Sequence, residues 1–312
     1  MSHDSENRIQ GSGYIFAYAF IGAVIDVLLS HLLQNLPVFV LLFWTFSGTW
    51  SGFVLITLLF RPVRWSHIRV HLPLILLINI VTAGAWAGLF IGLKWIEPSL
   101  MVAIIFGLSP VMGAAYEYYQ GREISSHYRI VIVGLTMTAG LLLYFAVEHK
   151  RYNPFASVWL FSVCLLLLSG LTAMSLSAYT YLSRHLHQQD FSAVQVQTLR
   201  FPLLLICVAL ALPQDHRQYL SSDHFWSYLA VIVLLGNILP LWLLQKGIQR
   251  APALHITIII NVSPLLTMIF ELFDPTLQYY HGKLLAILLL CGLLMLSNEK
   301  LFLRIRQTLK QV

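Results

Sequence analysis

The chain has 312 residues, of which 58% are hydrophobic and only 10% charged, against roughly 25% charged in a soluble globular protein. Its formal net charge is +6. This composition excludes a soluble enzyme or binding module and points to a polytopic membrane protein.

A bilayer crossing takes about 20 mainly apolar residues. In chain order the candidate spans are Gly13–Leu33, Val38–Phe60, Leu72–Leu93, Ser99–Gln120, Ile130–Val147, Val158–Leu182, Ala193–Leu212, Phe225–Gln245, Ala251–Phe273 and Leu284–Phe302. So little chain remains between these ten that no soluble domain is expected. The first residues are polar, with Asp4 and Glu6 offsetting Arg8. They lack the basic start and small-residue cleavage site of a secretory signal, so the first span is expected to be retained. Cys164, Cys207 and Cys291 sit in apolar runs at no metal or redox spacing and read as packing residues.

An even number of spans places both termini on one side. Of the 19 Lys and Arg, five (Lys94, Lys150, Arg151, Arg217 and Lys283) fall on the opposite side, Arg200 lies inside a span, and the rest flank the termini's side. The positive-inside rule then makes both termini cytoplasmic in a multi-pass protein of the inner (plasma) membrane. Basic charge here sets topology. The lipid bilayer is the expected partner, and no nucleic acid is.

Ser109-Pro110 in the fourth span, followed by Glu117, is echoed by Ser263-Pro264 and Glu271 in the ninth. A proline inside a helix removes a donor and collides with the preceding turn, so Pro110 and Pro264 are expected to kink their helices. In a membrane, loosened backbone is tolerated only against protein or a watery cavity. Thr45-Phe46 likewise aligns with Arg200-Phe201, and Gly92 with Gly247. Five spans per copy turn the second copy over. The expected fold is therefore an all-α polytopic membrane protein, ten transmembrane helices as two inverted five-helix repeats. Residues 1–12 form a cytoplasmic tail, 13–147 the first repeat, 148–157 a linker, 158–303 the second repeat and 304–312 a basic cytoplasmic tail. Inverted repeats commonly hold a midplane site between them.

These landmarks resemble the EamA-type repeat of the drug/metabolite transporter superfamily. The stretch Glu97-Pro98-Ser99-Leu100 running to Ser109-Pro110 and Glu117 is similar to the family's best-marked segment. So is Ala251-Pro252-Ala253-Leu254 running to Ser263-Pro264 and Glu271. Arg200-Phe201 matches its second-helix pattern, and Tyr179 to Arg184 its first-helix ending. Thr45 stands where the family often has arginine, the first-helix Trp-Gly pattern is absent around Gly22 to Asp26, and Phe273-Asp274-Pro275 replaces a basic turn. The resemblance spans nearly the whole chain. It implies a secondary transporter, an exporter of small organic metabolites or drugs by alternating access. No cofactor is implied, and the protein would work as a monomer or homodimer.

Asp26 is the only carboxylate deep inside an expected span. Such a group costs roughly 2.5–3.5 kcal/mol on insertion scales and faces a cavity or a partner. It reads either as a proton or cation site, or as a structural hydrogen bond. His255, of the residue type whose ordinary range lies near neutral pH, is a second proton candidate, or else a hydrated boundary residue like His31. Asn79, Asn237 and Asn261 either line the path or join helices. Trp86 and Trp242 hold near-corresponding positions and, with Tyr179, offer stacking or cation–π surface; Trp44 and Tyr18 are further aromatics within spans. Glu117 and Glu271 are candidate gates, or boundary carboxylates paired with groups such as Arg122. Arg200 reads as architectural, snorkelling to the interface or pairing with Asp190.

No catalytic constellation, metal set or nucleotide-binding motif stands out, so a substrate or ion gradient must supply the energy. The spacing of His185 and Asp190 leaves open an alternative, an intramembrane acyltransferase-like enzyme acting on lipid. A non-transporting assembly subunit is the third reading.

Overall fold

The structure, a computed structural model, describes residues 3–60, 65–119, 121, 125–220, 225–250 and 259–297, without the side chains of 3–8, 116, 117 and 249. Every regular element among the described residues is helical. In order they are α1 (His3–Asn35), α2 (Val38–Phe60), α3 (Trp65–Val70), α4 (Leu72–Trp95), α5 (Pro98–Tyr119), α6 (Ser126–Glu148) and α7 (Val158–Gln188). Then follow α8 (Ala193–Leu199), α9 (Pro202–Leu210), α10 (Arg217–Leu220), α11 (Phe225–Val231), a π-helical segment (Ile232–Ile238), α12 (Leu239–Arg250), α13 (Ser263–Glu271) and α14 (His281–Leu296).

Eight of the expected spans are helical, long and apolar enough to cross a bilayer, from Ile9–Asn35 through Phe225–Ile248. The first part of the ninth lies outside the described residues, and α13 is its end. The tenth is described for 16 residues as α14, and its expected continuation to Phe302 lies outside the described residues.

Two expectations about backbone continuity need correction. The seventh span is not one helix: α8 stops at Leu199, Arg200 and Phe201 bend, and Pro202 opens α9. Pro264 does not kink a running helix either. The chain turns at Asn261-Val262, and Pro264 sits in the first turn of α13, where a missing N–H costs nothing. Pro110, in contrast, lies within an uninterrupted α5.

Side chains close the break at Arg200. Asn79 of α4 donates to the carbonyls of Leu199 (2.7 Å) and Ile75 (2.8 Å), and its own oxygen accepts from the Leu203 N–H at 3.1 Å. Without water to serve them at this depth, the Leu199 carbonyl and the Leu203 N–H at the break depend on Asn79. Asn79→Leu should therefore cost about 1–3 kcal/mol, read as a lower midpoint of thermal unfolding in detergent. A wild-type midpoint would mean that the break is satisfied without Asn79.

Leu55, Leu58, Ile130, Leu167 and Leu210 point outward and are exposed, as lipid-facing residues must be. Inside, α1 packs along α12 as α7 packs along α4, and α5 lies on α7 as α13 lies on α1. Exchanging the two halves turns each pair into another. The matched landmarks meet as well: the rings of Phe46 and Phe201 are 5.1 Å apart. Where α4 crosses α7, Gly84 and Gly88 lie directly against Ser175 and Thr172.

Candidate functional site

The helices that cross in pairs leave a cavity at mid-depth. It comprises about 1100 Å³ of space, its mouth included, and is walled from both halves of the chain. α1 contributes Tyr18, Gly22 and Asp26, α4 contributes Thr82 and Trp86, and α5 contributes Val102 and Phe106. α7 adds Thr172 and Tyr179, the bend adds Arg200, and the π-helical segment with α12 adds Asn237 and Leu241. Most of the wall is apolar. The polar groups are few and separated, as in sites that orient a small solute.

Asp26 is half-buried, nine residues from the end of α1, hence about 14 Å along the helix from that end at 1.5 Å per residue. Among the described residues its carboxylate makes no hydrogen bond and no ion pair. Tyr18, two turns earlier on α1, lies within electrostatic reach of both Asp26 and Arg200. Asn237 is buried, and its amide donates to the Ile232 carbonyl at 3.0 Å, a bond that belongs to the π-helical turn. Trp86 packs its ring against Phe46 at 4.8 Å and presents its other side to the cavity.

Arg200 does not snorkel, and no ion pair joins it to Asp190. It is 2% exposed, with its guanidinium carbon 4.4 Å from the Tyr179 ring and 4.5 Å from the Phe201 ring. The helix break explains the difference: it turns Arg200 inward, whereas a straight helix would have let it climb to the interface. Tyr179 in turn accepts a hydrogen bond from Gln245 (2.6 Å), which meets His187 at 2.5 Å, and His187 reaches the Phe191 carbonyl at 2.9 Å. That chain of polar groups connects the cavity wall to the turn after α7.

Other expected path residues lie elsewhere. Asn79 serves the backbone break. Trp242 is outside the lining and packs on Tyr14 and Lys246. Asn261 donates to the Leu294 carbonyl (3.4 Å) and accepts from the Cys291 thiol; its neighbour Ser263 reaches the cavity instead. His255 lies outside the described residues, as does the side chain of Glu117. His185 and Asp190 share no hydrogen bond or ion pair.

Glu271 belongs to a buried cluster at one end of the bundle. Lys283, 1% exposed, donates to Glu97 (2.6 Å), Glu271 (2.9 Å) and the Gln278 carbonyl (3.0 Å). Glu271 also accepts from the Ser99 N–H and hydroxyl, both at 2.6 Å, and Glu97 from the Gln278 N–H at 3.2 Å. The start of α5, the end of α13 and the start of α14 are thereby tied together. Nearby, Arg151 bonds the Ser30 hydroxyl, and Asp274 pairs with His31 at 3.5 Å. Burial alone would raise the Asp274 carboxyl, yet hydrogen bonds from Thr276 with His31 and Arg151 hold it below its ordinary value. Neither Glu97 nor Lys283 stood out in the sequence as a site residue, since charges near span ends look like topology markers.

Comparison with known proteins bears on the second half most directly. Residues 160–298 match the model of the EamA-like transporter family, part of the drug/metabolite transporter superfamily. Fourteen chains of solved structures match. One of them, described only as "Crystal structure of protein", superposes with a TM-score of 0.63 at 15% identity, covering 94% of this chain and 96% of that one. At that identity the likeness is one of fold. No curated protein matches.

Proposed function

We propose that this multi-pass membrane protein, EamA-like over its second half, is a secondary-active transporter exporting small organic solutes by alternating access. It would act as a monomer or homodimer in the inner (plasma) membrane, with both termini cytoplasmic and proton coupling through Asp26. The observation that carries this reading is a mid-depth cavity walled by both halves and holding a carboxylate that, among the described residues, makes no hydrogen bond or ion pair. An ionised group there must be balanced by something that enters, either a proton or a cationic part of the solute. The exchange-related packing of α1 on α12 and α7 on α4 supports two inverted repeats, 13–147 and 158–303, rocking about the cavity. A mostly apolar wall suits an organic solute better than an inorganic ion.

The test uses purified protein in liposomes with an imposed pH gradient, offered an isotope-labelled pool of metabolites. Wild type should accumulate a subset of that pool. Asp26→Asn should lose gradient-driven accumulation while keeping one-for-one exchange of the same solutes. Driven uptake that survives the substitution would remove Asp26 as the coupling site. If no solute moves under either regime, the transporter reading fails in favour of an assembly subunit.

A further inference from the structure

Arg200 lines the cavity with donors that the protein leaves unused. Its Nε and Nη2 atoms are fully buried and have no hydrogen-bond partner. These two nitrogens share one edge of the guanidinium plane, the edge whose parallel N–H bonds match the two oxygens of a carboxylate. The rings of Tyr179 and Phe201 lie against the guanidinium, so the unpaired edge is the direction left for a ligand. An arginine stays protonated, and leaving one unpaired within a span is costly. Among the described residues no carboxylate pairs with it. The bend at Arg200-Phe201, stitched to α4 by Asn79, holds this edge in place before any solute arrives.

We infer that the Nε/Nη2 edge of Arg200 is a carboxylate subsite and that the solutes taken are small organic carboxylates, their apolar part lying along Trp86 and Phe106. The word transport here rests on the function proposed above; binding at Arg200 does not.

The experiment measures ligand-induced shifts of the unfolding midpoint for the purified protein in nanodiscs. The probes are phenylacetate, its neutral isostere phenylacetamide, phenethylamine and phenyl phosphate. Phenylacetate should stabilise the wild type in a saturable way and phenylacetamide should not. Arg200→Gln should weaken phenylacetate roughly tenfold to a hundredfold, the usual range for losing a hydrogen bond to a charged group. Arg200→Lys should fall between.

Equal affinity for acid and amide, unchanged binding in Arg200→Gln, or no saturable phenylacetate shift would each overturn the inference. Phenyl phosphate binding as tightly as phenylacetate would overturn the choice of carboxylate. If Arg200→Gln does not fold, the acid–amide comparison in wild type and the Arg200→Lys affinity decide. Because no flux is measured, the two proposals fail separately. Carboxylate binding without solute movement would sink transport alone, and solute movement without an Arg200-dependent acid shift would sink the subsite alone.

Discussion

Lys283→Met is expected to lower stability by about 3–5 kcal/mol, the usual cost of removing one partner from a buried ion pair. The lysine is the shared cation of Glu97 and Glu271, which are 3% and 4% exposed. Methionine fills much of the same volume, so lost packing is a minor part of the effect. What remains are two carboxylates held by Ser99 and Gln278 donors with no full positive charge between them. Arg151 feels both acids but forms no ion pair with either among the described residues. The companion variant separates charge from shape. Glu97→Gln and Glu271→Gln combined with Lys283→Met keeps acceptors for Ser99 and Gln278 and removes all three charges. It should recover most of the loss, as neutral replacements of buried ion pairs often do. Reversible denaturation in mixed micelles measures both. A single variant within about 1 kcal/mol of wild type would contradict this account of the cluster.

The second large effect is at Gly88. A Cβ built there would overlap the Thr172 hydroxyl, and one at Gly84 would come within 2.6 Å of the Ser175 oxygen. Two helices this close gain dispersion contacts along their backbones, which is how helices associate when lipid is the solvent. Thr172 cannot simply swing away, because its hydroxyl already donates to the Leu168 carbonyl at 2.7 Å. Gly88→Leu should push α4 off α7, at a cost near the upper end of overpacking, about 3 kcal/mol. Gly88→Ala should be milder but measurable. Since Thr172, Thr82 and Trp86 also line the cavity, the leucine variant should lose ligand-induced stabilisation as well. Size-exclusion profiles and unfolding midpoints report the first effect. A Gly88→Leu protein with wild-type midpoint would show that the helices tolerate separation.

The spans were legible because hydrocarbon thickness demands long apolar runs whatever the packing, and eight of them stand where composition places them. The breaks were less so. Pro202 and Pro264 were visible, but a proline that starts a helix and one that bends a helix look alike in an apolar run. For the site, Asp26, Trp86, Tyr179 and Asn237 meet in one cavity, whereas Asn79, Trp242 and Asn261 do not. Each residue turns a helix by about 100°, so the facing of a side chain depends on phase and on breaks that hydropathy does not record. Arg200 is the clearest case: its place near a span end suggested escape to the interface, and the bend aims it inward. Lys283 was counted as a loop charge because its partners, Glu97 and Glu271, come from two other helices.

The lysine cluster also sets an order of assembly. Glu97 and Lys283 are 186 residues apart in the chain, so at about 5–20 residues per second the acid waits on the order of 10–40 s for its partner to be synthesised. Until then Glu97, at the start of α5, lacks its lysine and has only the field of Arg151 to offset its charge. The hairpin of α13 with α14 acts as the latch. Nascent chains stopped before Lys283 should remain open there and be visible to cellular proteases.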